Sequence, residues 1–376
     1  MKMKPAFIFG TRPEIIKLSP IIRTCVKKRI DFFTVHTGQH YSRGMSGVFF
    51  DELGLPLPDY ALNIKSRAAY RQGDHAGRMM VKLEELMLKE LPTVVFVQGD
   101  TNTTLAAALT ASKISTTKTF TGFDIKVAHV EAGLRSYDRD MPEEVNRVIT
   151  DHLSDYLFVP TQKAKDTAMG EGIKRNKIFV TGNTIVDALR YALGPGKRET
   201  GIMSKYGLKK DSYMLLTLHR QENVDSREKL VKILAGIDRV CRRHRMKVIF
   251  PIHPRTVKMF RCFKIELNDM VQVIEPCGFM DFLQLETNAR LVLTDSGGVQ
   301  EESCVLGVPC VTLRTTTERP ETVDVGANVI AGTSTAAIAR SADIMLNRKR
   351  NWKNPLGSGN AAEKIIEVLS KKRGCS

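Results

Sequence analysis

Several stretches of this chain set acids, cations and small residues where an apolar run breaks off. Gly10, Thr11, Arg12, Pro13 and Glu14 follow Ala6 to Phe9, with Pro13 suited to the first helical position and the nearby amides expected to face an anion. Arg12 could clamp a phosphate there, and Lys17, one turn on, could add a second positive charge; an ordinary basic helix start would look the same. Asp100 closes the run Val94 to Gln98 after Gly99, and Glu131 closes Lys126 to Val130 just before Ala132 and Gly133. Asp100 would also serve as a plain N-cap for a helix beginning near Thr103. Glu143 and Glu144 follow Pro142 in a first helical turn, where the helix dipole alone favours negative charge.

The second half repeats the arrangement. His219 follows Met214 to Leu218 in company with Arg220 and Glu222, whereas His253, between two prolines, reads as structural. Thr294, Asp295, Ser296, Gly297, Gly298, Val299, Gln300, Glu301 and Glu302 run from a strand into a helix. There Gly297 and Gly298 permit close backbone approach, Ser296 presents the helix start to a diphosphate, and Glu302 could accept from both ribose hydroxyls. Arg319 supplies another loop cation, though alone it reads as a solvated side chain. The Gly-x-Gly-x-x-Gly fingerprint of a dinucleotide site does not occur, so a bound NAD is not supported.

Parallel sheets must position these groups, because in open α/β folds ligands sit beyond the carboxyl ends of strands. Further strand-like runs at Phe33 to Thr37, Tyr156 to Val159, Ile178 to Thr181, Lys247 to Pro251, Val271 to Ile274, Arg290 to Thr294 and Pro309 to Leu313 alternate with helical patterns. Ile15, Leu18, Ile22 and Val26 keep helical spacing, as do Val145, Val148, Ile149 and His152. The rhythm lapses around Gly194 to Arg198. The reading is α/β with two Rossmann-like domains, residues 1–184 and 185–360, the final helix 361–376 packing back on the first.

A length of 376 residues with 42% hydrophobic content suits two cores rather than one, and no apolar run is long enough for a membrane helix. The start reads as a strand entering a turn, not a signal peptide. Seven cysteines without a Cys-x-x-Cys pair read as reduced thiols in a cytoplasmic protein, with Cys304 and Cys310 buried beside a strand and no metal site expected. The formal charge of +16 raises nucleic acid as a partner, but only 7% of residues are aromatic and the basic clusters fall at helix ends and near the terminus. They read as a solvated face whose field would concentrate a diphosphate.

Taken in order, the motifs GTRPEIIKLSP (Gly10 to Pro20), TGQH (Thr37 to His40), QGDTNTT (Gln98 to Thr104), HVEAGLRS (His129 to Ser136), MPEEVNR (Met141 to Arg147), GNTIVDA (Gly182 to Ala188), HRQEN (His219 to Asn223), TDSGGVQEE (Thr294 to Glu302) and TTERPE (Thr316 to Glu321) resemble the non-hydrolysing UDP-N-acetylglucosamine 2-epimerases of bacteria and archaea. Each motif is weak alone; the ordered set spans most of the chain. The resemblance implies a GT-B fold with the ligand cleft between its domains, a homodimer, and interconversion of UDP-GlcNAc and UDP-ManNAc with release and recapture of UDP, using no metal or nicotinamide cofactor and no nucleic-acid or membrane partner. It implies sugar-side roles for Asp100, Glu131 and Glu143, a catalytic role for His219, and substrate contacts from Arg12, Lys17, Ser296, Gly298, Glu302 and Arg319.

Some departures bear on control. After Gln39 and His40 the chain reads Tyr41, Ser42, Arg43, Gly44 and Met45, longer than the Gln-His-Arg-Gln-Met pattern of bacterial members activated by a second UDP-GlcNAc. Weak or absent sigmoidal kinetics are therefore expected. Ser115 to Phe123 looks like an insertion. A glycosyltransferase, a UDP-diacetamido-uronate epimerase, a hydrolysing relative and a non-catalytic binder are the rivals; the first would need an acceptor, and the last would turn nothing over.

Overall fold

The computed structural model describes residues 3–38, 49–65, 71–194 and 199–373, so the segment with Gln39 to Met45 lies outside the described residues. The chain divides into two compact units, Met1–Leu193 with Leu356–Ser376, and Gly194–Pro355.

Among the described residues the first unit holds a seven-stranded sheet: β1 (Pro5–Phe9), β2 (Phe33–His36), β3 (Tyr60–Ala61), β4 (Val94–Gln98), β5 (Lys126–Val130), β6 (Tyr156–Val159) and β7 (Ile178–Val180), in the order β3-β2-β1-β4-β5-β6-β7. Every neighbouring pair is parallel. Runs such as Val94-Val95-Phe96-Val97 are buried throughout, as expected of strands covered by helices on both faces. Phe7 stacks on Phe96 across β1 and β4 at 4.8 Å between ring centroids. The two-residue edge strand β3 has no apolar run and was not visible in the sequence pattern.

The second unit carries a six-stranded sheet: β8 (Tyr213–Thr217), β9 (Lys247–Pro251), β10 (Val271–Ile274), β11 (Leu291–Thr294), β12 (Cys310–Thr312) and β13 (Asn328–Ile330), in the order β10-β9-β8-β11-β12-β13, again parallel. Leu216, Phe250 and Leu293 pack with Ile233, Ile237 and Ile338 of covering helices in one core. In each sheet the chain runs outward from one central strand and returns on its other side. The order therefore reverses between β1 and β4 in the first unit and between β8 and β11 in the second.

The helix Thr184–Ala192, placed with the second domain by the sequence pattern, lies in the first unit, where it packs with the helices Arg12–Lys27 and Ala361–Arg373. Its strongly one-sided apolar face, with Ile185, Val186 and Leu189 buried, accounts for that attachment. The helix Pro142–Leu153 reverses another expectation. Val145 and Ile149 of its apolar stripe are exposed, while Glu144, Asn146, Arg147, Thr150 and Asp151 are buried. Such burial is tolerated because the charges are paired.

Among the described residues the six cysteines, at positions 25, 241, 262, 277, 304 and 310, are free thiols; Cys304 and Cys310 are buried, and burial pushes the Cys304 thiol up to about 12. Among the described residues no helix is long and apolar enough to cross a membrane.

Candidate active site

The strand ends at the two reversal points are where an open α/β sheet offers room for a ligand. Those of β1 and β4 present Gly10 to Glu14 and Asp100; those of β8 and β11 present His219 and Asp295 to Gly298.

After β1, Thr11 caps the helix Arg12–Lys27 in a reciprocal box with Glu14. One Glu14 oxygen accepts from the Gly10 amide at 3.0 Å, the Thr11 amide at 2.7 Å and the Thr11 hydroxyl at 2.8 Å. The other accepts from the Thr101 hydroxyl at 2.7 Å and the Thr104 hydroxyl at 3.3 Å. The amides expected to face an outside anion thus face the chain's own carboxylate. Burial dominates these hydrogen bonds and raises the Glu14 carboxyl above its ordinary range. A methyl group on Gly10 would come within 2.4 Å of the hydroxyls of both Thr37 and Thr103, so only glycine fits. Arg12 is exposed, its guanidinium 5.6 Å from the centre of the Phe49 ring.

Lys17, expected beside a phosphate, is buried in an ion pair with Glu131, and Asn183 donates to the same carboxylate oxygen at 3.3 Å. Glu131 itself adopts a left-handed backbone (φ 68°), sparsely populated for a residue with a side chain. Its amide and that of Ala132 both donate to the Phe158 carbonyl, at 3.0 and 3.2 Å, which holds the turn. Backbone strain of this kind costs about 1 to 3 kcal/mol and clusters at functional positions.

Thr101, not Asp100, caps the next helix, accepting from the Thr104 amide at 3.2 Å. The Asp100 carboxylate instead meets the buried guanidinium of Arg147, whose other arm donates to Glu144 at 2.6 Å. Asn146 donates to the Asp100 carbonyl at 2.9 Å. Glu144 accepts from the Ser136 and Tyr137 amides at 3.0 and 2.9 Å; burial works against its ionisation, but these bonds and Arg147 bring the carboxyl below its ordinary range. Glu144 therefore anchors the preceding loop, and Glu143 beside it is half-buried. Sequence reasoning passed over Asn146, Arg147 and Asn183. Arg147, one turn below a possible acid, reads as a solvated helix cation until a strand end is known to lie over it.

In the second unit the fully buried Asp295 organises the end of β8. It accepts from the amides of His219 (3.0 Å) and Arg220 (2.8 Å), and the His219 Nδ1 lies 3.2 Å from its carboxylate. Burial alone would raise Asp295; the charge and hydrogen bonds of His219, with the Arg220 amide, lower it. The His219 side chain stays 36% exposed, with its ring 5.6 Å from that of His253. His253 caps the helix Pro254–Phe263 through Nδ1, 3.1 Å from the Arg255 amide, the structural part expected of it.

Ser296 is the N-cap of the helix Gly297–Leu306. The two glycines after it differ. A methyl on Gly297 would come within 2.7 Å of the Arg319 guanidinium, whereas one on Gly298 would meet nothing nearer than 4.0 Å. Arg319 is not the solvated cation that its loop position suggested. It is buried, donating to Glu301 at 3.0 Å and Glu318 at 2.9 Å, and Arg314 donates to Glu318 at 2.8 Å and lies 3.3 Å from Glu222. Glu302 is buried one turn along. Behind it Glu286, fully buried, accepts from Ser303 at 2.8 Å, and burial together with the Glu302 charge pushes its carboxyl well above the usual range. Among the described residues no group of three or more metal-ligating side chains could hold a metal ion.

A family model described as UDP-N-acetylglucosamine 2-epimerase matches residues 24–370. The UDP-N-acetylglucosamine 2-epimerase of Methanocaldococcus jannaschii is 52% identical over 98% of this chain and 99% of its own. The UDP-2,3-diacetamido-2,3-dideoxy-D-glucuronate 2-epimerase of Pseudomonas aeruginosa is 39% identical over 98% of this chain and all of its own length (100%). A crystal structure of the Methanocaldococcus jannaschii enzyme in complex with UDP-GlcNAc and UDP superposes with a TM-score of 0.90, covering 99% of this chain and 100% of that one. The architecture of two Rossmann-like units is of the GT-B type.

Proposed function

Because the chain belongs to the UDP-N-acetylglucosamine 2-epimerase family, we propose that it interconverts UDP-GlcNAc and UDP-ManNAc by eliminating and re-adding UDP. The C2 proton of the sugar has no neighbouring carbonyl and is not acidic enough for direct exchange. A base removes it while the C1–O bond breaks and its electron pair leaves with the diphosphate, so that C1=C2 forms and the intermediate is 2-acetamidoglucal. Re-addition of UDP to C1, with protonation of C2 on the other face, gives the epimer. No redox step is required.

The observation that carries this reading is a pair of carboxylates at the ends of neighbouring parallel strands, Asp100 after β4 and Glu131 after β5, each held by its own buried cation. Two acids on separate supports suit removal of a proton from one face and delivery to the other. Asp100 and Glu131 form the proposed acid–base pair, with Glu143 the alternate member. In this reading Lys17 acts through Glu131 rather than on phosphate. Arg12, His219 and the helix start at Ser296 to Gly298 receive charge on the departing diphosphate, an interaction strongest in the transition state. Glu302 takes the ribose hydroxyls, and Arg319 holds the floor beneath Gly297. Identity favours the N-acetylglucosamine substrate over the diacetamido-uronate, 52% against 39%. A homodimer in a cytoplasmic setting completes the proposal, and light scattering of the purified protein tests the assembly.

The decisive assay is NMR of the protein with UDP-GlcNAc alone in heavy water. One deuterium at C2 of the UDP-ManNAc formed, without added NAD, is expected, with traces of UDP and 2-acetamidoglucal. Asp100→Asn and Glu131→Gln should each slow turnover about 100-fold or more. Product that keeps its C2 proton, or wild-type rates in both variants, would refute the scheme.

A further inference from the structure

His129 lies on β5, two residues before Glu131, with only 1% of its surface exposed, and none of the chemistry proposed above uses it. Its Nε2 is 2.8 Å from the Gly99 carbonyl oxygen and its Nδ1 is 2.7 Å from Asp151 Oδ1. A carbonyl oxygen only accepts, so Nε2 must carry a hydrogen. Asp151, fully buried, also takes Arg135 Nη1 at 2.7 Å and the Gly133 amide at 3.1 Å. Arg135 is buried against that carboxylate, and a guanidinium only donates, so Asp151 is held as the anion. An ionised Asp151 likewise only accepts, so Nδ1 carries a hydrogen as well. Arg135 passes the alternation on by donating to Glu171 at 2.8 and 2.6 Å. Cation, anion, cation and anion follow one another from β5 outward.

Gly99 is the residue between β4 and Asp100. Its amide donates to the Val130 carbonyl at 3.1 Å while its own carbonyl accepts from the His129 ring, and its backbone is left-handed (φ 72°). Both contacts thus come from the two residues of β5 that immediately precede Glu131. We infer that His129 is a buried, doubly protonated positioning residue that ties the Asp100 turn to the Glu131 turn through Gly99 and so fixes the separation of the two carboxylates. A neutral ring would have to give up one of its two acceptors, and the turn before Asp100 would lose its register with β5. Small misplacements of reacting groups cost rate steeply.

The charge is tested in the unaltered full chain with isotope-labelled histidine rings. Long-range nitrogen–proton spectra recorded under the conditions of the epimerisation assay should show both His129 ring nitrogens bonded to hydrogen. A bare ring nitrogen on His129 overturns the assignment. The positioning role is tested by His129→Gln, which keeps a donor for the Gly99 carbonyl and removes the cation. Its kcat should fall about 10- to 100-fold while KM and UDP affinity stay within about twofold. Wild-type kcat, or parallel loss of UDP binding, overturns it. Should that variant not fold, Asp151→Asn removes the counter-charge and is read by the same kcat and UDP-affinity criteria. The positioning role rests on the acid–base reading of Asp100 and Glu131, whereas the protonation state does not. If the wild-type chain fails to epimerise UDP-GlcNAc, that reading falls and the spectrum still decides the charge.

Discussion

Gly297 and Gly298 are adjacent and identical, yet they answer different demands. The first leaves room for a guanidinium that two buried carboxylates hold in place, and the second would let an added methyl in with no atom nearer than 4.0 Å. Gly297→Ala should displace Arg319 and lower the melting temperature, because loosening a buried pair leaves charge uncompensated; full loss of a partner costs about 3 to 5 kcal/mol. Gly298→Ala should melt like the wild type and bind UDP at least about tenfold more weakly, since its added methyl meets only an approaching ligand. Calorimetry on the two variants separates the cases, and equal UDP affinity in Gly298→Ala would remove that residue from the site. The sequence identified Gly297 and Gly298 as a place of close approach. It could not distinguish them, because the group that fills the space over Gly297 comes from Arg319, 22 residues further along the chain.

The helix Pro142–Leu153 shows what periodicity can and cannot report. Val145 and Ile149 are at helical spacing, and the helix forms, but the face it buries is the one that carries Arg147 and Asp151. Patterning assumes that apolar groups alone seek the interior; here ion pairs to Asp100, Glu144, His129 and Arg135 remove the penalty for burying charge. The arrangement has a pH signature. Asp151 and Asp295 sit below their usual 3.8 and Glu144 below its usual 4.5. A depressed folded-state pKa means that the unfolded chain binds protons first, so the stability these groups supply is complete above their unfolded values. It is lost as pH falls through the folded ones. In urea titrations the stability difference between wild type and Asp151→Asn should therefore shrink as pH falls below about 4. A difference that grows as pH falls below about 4 would contradict the pairing.

At the scale of the whole molecule, the second unit is one continuous segment, Gly194–Pro355, with its own sheet, whereas the first needs the distant helix Ala361–Arg373. Produced alone, residues 194–355 should fold cooperatively and bind UDP. Truncation after Pro355 should destabilise only the first unit, because it uncovers the partners of the buried Ile365, Ile366 and Leu369, each worth about 1.5 to 3 kcal/mol. Circular dichroism and UDP titration of both pieces check this. An unfolded 194–355 fragment would show that the division into units is not one of stability.

Alternation of apolar runs with helical spacing was enough to establish an α/β chain with two parallel sheets, and the strands Val94–Gln98, Lys126–Val130, Tyr156–Val159, Lys247–Pro251 and Val271–Ile274 stand where the runs placed them. Motif order was enough to establish the family, because residue types at strand ends are local and survive in the sequence as written. The partners of those residues are another matter. That Lys17 answers Glu131, that Asp100 meets Arg147, and that His129 lies between Gly99 and Asp151 depend on which strand ends become neighbours. An ion pair across 114 residues, as for Lys17 and Glu131, leaves no periodic trace. Only the assembled sheet decides which charge faces which.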